Sequence, residues 1–163
     1  MQVPPSIPTL SAAHNSARCR SASWYASWRH AAIDTSAGIA RRETRSTLAA
    51  WQLAAVADAA ELCVSELVTN AITHAQHPAA TFQLDLLRDG DRLLVAVSDA
   101  DGSAVPQQCD AEDDDEHGRG LMIVRALSAA WGVEHSRNSL GKTVWCELET
   151  TAPEPCGHIR REI

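Results

Sequence analysis

Residues 81–97 constrain the fold more than any other stretch of this chain. Thr81 to Leu87 alternates apolar and polar side chains, Arg88-Asp89-Gly90-Asp91 supplies turn chemistry, and Leu93, Val95 and Val97 resume the alternation. A period of two sends successive side chains to opposite faces, so the segment predicts an antiparallel β-hairpin with one apolar face to be covered. Two helices on its N-terminal side can cover it. The first opens at Asp34-Thr35-Ser36, where cap-type residues precede Ile39, Leu48 and Trp51 on helical spacing, and it ends near Trp51. The second runs roughly from Val56 to His74, carries Leu62, Cys63, Leu67, Val68, Ala71 and Ile72, and stops before Pro78.

Beyond the hairpin, a long polar loop from Asp99 to His117 leads to Gly118-Arg119-Gly120. Leu121 to Trp131 then reads as a third helix closed by Gly132. A strand near Val133, a turn over Asn138 to Gly141 and a strand from Lys142 to Glu149 follow, the last with Val144, Cys146 and Leu148 on one face. A short strand is also expected at Trp28 to Ile33. This order predicts an α/β two-layer sandwich, with helices on one face of a mixed, largely antiparallel sheet. Residues 1–26, rich in Ser, Ala and Pro, read as a flexible N-terminal extension; 27–150 is the folded domain and 151–163 a polar C-terminal tail.

Composition narrows the function classes. The 163 residues, 45% hydrophobic and 21% charged, suit one domain with a core. A net charge of -7 does not invite a phosphate backbone, so no direct nucleic-acid binding is expected. Much of that charge lies in one run, Asp110, Glu112, Asp113, Asp114, Asp115 and Glu116, which reads as a solvated loop or as a contact surface for a basic protein face. The five cysteines (Cys19, Cys63, Cys109, Cys146, Cys156) form no C-x-x-C pair and fit a reducing cytoplasm better than a disulfide frame or a zinc site. Cys63 and Cys146 fall within apolar patterns and read as small core hydrophobes. No stretch approaches the ~20 apolar residues of a membrane span and no export signal opens the chain, so a cytoplasmic protein with no membrane partner is expected.

Three places can carry chemistry. Glu66, Asn70 and His74 recur every four residues and line one side of the second helix. A solvent-facing stripe would have this spacing; so would a cleft in which Glu66 is a carboxylate base and Asn70 offers an oxygen to Mg²⁺. Asp99 closes the hairpin's second strand ahead of Gly102, which makes either an ordinary turn or a carboxylate able to accept from an exocyclic amine such as adenine's. Gly118-Arg119-Gly120-Leu121 opens a helix whose free N–H groups and positive dipole end can hold phosphates. Two other phosphate motifs fail: Ile123 stands where a dinucleotide fingerprint needs its third glycine, and Ser136 where a P-loop ending at Gly141-Lys142-Thr143 needs its first. A cap or packing role suits His74 and His77 better than a metal, and Trp51, Trp131 and Trp145 read as core or groove anchors.

Taken in order, these elements resemble the ATP-binding domain of the GHKL superfamily, and within it the small RsbW-like anti-sigma serine kinases. Glu66-Leu67-Val68-Thr69-Asn70-Ala71 with His74 resembles their N box, and Asp99 with Gly102 the first glycine box. Gly118-Arg119-Gly120-Leu121 with Ile123-Val124 resembles the second glycine box, and Trp131-Gly132 with Gly141-Lys142-Thr143-Val144-Trp145 the closing strands. The likeness spans about Trp28 to Glu149. It implies ATP and Mg²⁺ held between sheet and helices, with Glu66 as general base, Asn70 as Mg²⁺ ligand and Asp99 as adenine reader. Gly118 and Gly120 would cradle phosphates, Thr143 would support the adenine side, and His74, Arg119 and Leu121 would join the cofactor contacts. Residues between Gly102 and Gly118 would form the ATP lid. One departure stands out: the family's first glycine box is D-x-G-x-G, whereas Asp101 and Ser103 occupy the two glycine places here.

The resemblance implies a protein serine/threonine kinase that is also an anti-sigma factor. It would hold a sigma factor until an unphosphorylated STAS-type antagonist competes, and would inactivate that antagonist by phosphorylating a serine; a homodimer is compatible with this. The rival is a catalytically silent, nucleotide-responsive binding module that regulates transcription. Glu66 and Asn70 favour the kinase, and the altered glycine box favours the module. A sensor histidine kinase is not expected, for want of an upstream dimerisation helix pair, and chaperone or topoisomerase roles would need further domains.

Overall fold

The computed structural model describes residues 24–75, 78–99, 118–135 and 141–150. Within them lie strands β1 (Trp24–Ala31), β2 (Thr81–Asp89), β3 (Arg92–Asp99), β4 (Ala130–His135) and β5 (Lys142–Glu149), and helices α1 (Asp34–Ala50), α2 (Ala57–Thr73) and α3 (Gly118–Leu127). The strands form one sheet in the order β1-β2-β3-β5-β4, and each of its four pairings is antiparallel. The helices cover one face of it, which is the expected two-layer α/β sandwich. No described helix is long and apolar enough to cross a membrane.

Period two builds the core. Phe82, Leu84 and Leu86 of β2, Leu93, Val95 and Val97 of β3, and Val144, Cys146 and Leu148 of β5 are all buried on the face beneath the helices. Ala60, Cys63, Val64, Leu67 and Val68 of α2 and Leu48 of α1 close over them. Each fully buried Leu or Phe contributes about 1.5–3 kcal/mol, so this interlayer seam carries most of the stability. The hairpin turn is Gly90-Asp91, with Gly90 at φ 60, a backbone geometry that glycine adopts without a Cβ penalty.

The first helix starts differently from its sequence expectation. Asp34, Thr35 and Ser36 are its first residues rather than its cap; Ile33 stands at the cap position and makes no side-chain capping bond. Ser36 Oγ instead donates to the Ala31 carbonyl at 2.7 Å, tying the helix start to β1, and Asp34 complements the positive end of the dipole. The helix stops at Trp51, followed by Gln52 at φ 58 in the left-handed region. Trp51 packs against the core and meets Trp24 edge-on at 5.9 Å between ring centres.

Three boundaries move. β1 begins at Trp24, so residues 24–26 belong to the sheet and not to the N-terminal extension. Leu87 does not end β2, which continues to Asp89. The third helix ends at Leu127, not Trp131, and Gly132 is a strand residue. The reason is tertiary: the Ser128 hydroxyl and N–H both turn back to the Val124 carbonyl, and Ala129 N–H donates to Glu147 of β5 at 2.8 Å, which turns the chain into β4. Gly132 lies opposite Trp145, where a Cβ would come within 2.9 Å of the indole ring. The residue that looked like a helix stop is therefore a space for a neighbouring tryptophan. Trp131, read as a core or groove anchor, is 36% exposed on β4 and so does not lie in the core.

Candidate functional site

Register decides which side chains share a face. Asp99 pairs with Phe82, so its side chain projects from the helix-covered face of the sheet, at the last position of β3. Its orientation is set by β5: the Lys142 N–H donates to Asp99 Oδ1 at 2.9 Å. Gly141 makes that approach feasible, because a Cβ there would lie 2.3 Å from the Asp99 carbonyl oxygen and 3.2 Å from Oδ1. The carboxylate thus has one oxygen engaged by a backbone donor, and acceptor capacity remains on the other for an amine.

Helix α2 brings the second group. Asn70 lies in its last turn, and β2 is the next strand in the chain, with Phe82 opposite Asp99. Glu66 and Asn70 are both half-buried, neither sunk in the core nor fully solvated. The Glu66 carboxylate rests against the first turn of α3: a Cβ on Gly120 would fall 2.5 Å from Glu66 Oε2. The solvent-stripe explanation of that spacing therefore fails at Glu66, which has a structural neighbour. His74 caps α2 just past its last residue and is exposed.

Helix α3 supplies the third. It begins at Gly118, and the N–H groups of its first turn have no partner within the helix, which makes that end a seat for anionic oxygens. Arg119 is exposed there, whereas Leu121 packs against the hydrophobic core and seats the helix on its neighbours. Gly102 and the run Asp110 to Glu116 lie outside the described residues.

One expected site residue is not brought to this face. Val144, Cys146 and Leu148 point into the core, so Thr143 points the other way, and its hydroxyl meets Ser98 Oγ at 2.7 Å on the uncovered side of the sheet. The group of β5 that reaches Asp99 is the Lys142 backbone N–H. Sequence reading missed Lys142 and Gly141 as parts of the site, although the alternation along β5 already implied that Thr143 and Val144 face opposite ways.

The donor set fits a nucleotide with a hard cation. Asp99 suits a base amine, the first turn of α3 suits phosphates, and the oxygens of Glu66 and Asn70 suit Mg²⁺ better than a soft metal. A family model described as a histidine kinase-like ATPase domain matches residues 31–147, well over half of the chain. No curated protein matches the chain.

Proposed function

Starting from the fact that this chain belongs to the histidine kinase-like ATPase domain family of the GHKL superfamily, and so is an ATP-binding, kinase-like domain, we propose that it is an RsbW-like anti-sigma factor and protein serine/threonine kinase. Its substrate is the serine of a STAS-type antagonist, and its other partner is a sigma factor. The contact between Glu66 and Gly120 carries this reading, because it sets a carboxylate beside the helix end suited to phosphates. When bound, ATP supplies the γ-phosphoryl group and Mg²⁺ offsets the phosphate charge. Glu66 accepts the proton of the incoming serine hydroxyl, Asn70 would offer an oxygen to Mg²⁺, and Asp99 would accept from the adenine amine while the Lys142 N–H holds the carboxylate in place. The protein works in the cytoplasm, as a monomer or a homodimer.

The test is phosphate incorporation into a STAS-type antagonist, read by mass, with the wild type and with Glu66→Ala and Glu66→Gln. Phosphoserine formed by the wild type and lost in both variants supports the kinase. Transfer undiminished in Glu66→Ala removes Glu66 from the chemistry. Asp101 and Ser103 in the first glycine box favour the silent binding module instead, and ATP binding with no transfer to any STAS-type antagonist would establish it.

A further inference from the structure

The Gly141-Lys142-Thr143 triplet fails as the end of a P-loop, which leaves the lysine side chain without a part in the site. Lys142 opens β5 rather than a helix, so it is rooted in the sheet and not in a phosphate loop. Val144, Cys146 and Leu148 are buried beneath the helices, and a period of two puts Lys142 on that same face. Ser98 pairs with Thr143, which makes Lys142 the neighbour of Asp99 at the next position along the two strands. The bond from the Lys142 N–H to Asp99 Oδ1 at 2.9 Å fixes that neighbourhood. Facing residues of a ladder carry side chains of this length within reach of one another. A carboxylate acceptor and a flexible cationic donor therefore stand side by side on the helix-covered face. Lys142 is half-buried, and no ion pair or hydrogen bond among the described residues occupies its ammonium.

We propose that the Lys142 ammonium donates to N1 of the adenine ring, next to the amine from which Asp99 accepts. On the Watson–Crick edge of adenine the exocyclic amine is a donor and the adjacent ring nitrogen, N1, is an acceptor. Two-point recognition of that edge takes an acceptor and a donor side by side. An ionised Asp99 supplies only the acceptor, and an ammonium supplies only donors. A charged donor gains strength in a half-buried setting, where water competes less.

A phosphate role suits this lysine less well. The free N–H groups suited to phosphate lie in the first turn of α3 beside Glu66, whereas Lys142 grows from the strand that holds Asp99. Nor does Thr143 supply the donor, because its hydroxyl meets Ser98 on the uncovered face. The inference rests on the function proposed above, with the base at Asp99, and adds the residue that reads the second atom of its edge.

The experiment uses ATP and 1-deaza-ATP, in which a C–H group replaces N1. Each is titrated calorimetrically with Mg²⁺ into the full chain and into Lys142→Met, Lys142→Val and Lys142→Arg. Methionine removes the charge and keeps an unbranched stem, valine removes it with a strand former, and both keep the backbone N–H that holds Asp99. The wild type is expected to bind ATP about tenfold more tightly than 1-deaza-ATP, the worth of a hydrogen bond to a charged group. In Lys142→Met and Lys142→Val that preference should vanish through a loss of ATP affinity, with 1-deaza-ATP affinity unchanged. Lys142→Arg keeps a donor and should keep part of the preference. A lysine that only supports the fold, or one that contacts phosphate, weakens both nucleotides alike when replaced, and that result overturns the proposal. So does a wild type that binds the two nucleotides equally, which needs no variant and leaves the nucleotide reading standing. A wild type that binds neither ends that reading, and the proposal with it.

Discussion

The two ends of the candidate site are built in opposite ways. At the sheet end, Asp99 is held by backbone: the Lys142 N–H at 2.9 Å and a Gly141 whose missing Cβ would collide with the Asp99 carbonyl at 2.3 Å. At the helix end, Glu66 meets Gly120 through the tip of a long side chain, with Oε2 2.5 Å from where a Cβ would stand. Backbone in a ladder cannot yield without breaking pairings, whereas a glutamate tip yields by rotating about its own bonds. In the proposed function, the base-reading end would therefore be preorganised, and the phosphate end could adjust as charge develops during transfer.

Substitutions at each end test that division, beginning with the largest expected effect. Glu66→Ala should lower phosphotransfer by about 10²- to 10⁴-fold, the usual worth of a positioned general base, while calorimetric ATP affinity changes far less. A matching loss of affinity would show that Glu66 holds ligand rather than moving a proton. Asp99→Asn should weaken ATP binding by about tenfold to a hundredfold, the worth of a hydrogen bond to a charged group, because the amide offers the adenine amine a weaker acceptor.

Glycine replacements separate the ends more finely. Gly141→Ala forces a Cβ against backbone oxygen and should cost about 1–3 kcal/mol of stability in urea denaturation, with ATP affinity falling in parallel. Gly120→Ala meets only the movable tip of Glu66, so stability should stay within about 0.5 kcal/mol while phosphotransfer slows as the carboxylate is pushed aside. If Gly120→Ala proves as destabilising as Gly141→Ala, the helix end is as rigid as the sheet end and the contrast disappears.

The smallest effect is expected away from both ends. Thr143→Val removes the hydroxyl that meets Ser98 Oγ at 2.7 Å and should cost about 1 kcal/mol of stability with ATP affinity unchanged, since that pair lies on the uncovered face. A selective loss of ATP affinity would restore Thr143 to the adenine side.

Much of this was legible in the residues. The hairpin over β2 and β3, the span of α2 and the core face of β5 follow from hydrophobic period alone, because a buried face forces its alternation on the sequence. Glu66, Asn70 and the glycines in the first turn of α3 were visible as polar or small residues set beside apolar ones. What misled the reading was local signal with a distant cause. Gly132 looked like a helix stop and proved to be room for Trp145, and Trp131, which read as a core or groove anchor, proved 36% exposed and outside the core.

By itself, then, the sequence determined the layers, their order and the residue types able to hold a nucleotide, since these depend on period, turn chemistry and short spacing. Tertiary structure alone decided which of those residues meet. Strand register sent Asp99 to the helix face and Thr143 to the other, and brought the Lys142 N–H to the carboxylate from 43 residues away in the numbering. Such contacts depend on how strands align and helices pack across the whole domain, and no local stretch of sequence encodes that alignment.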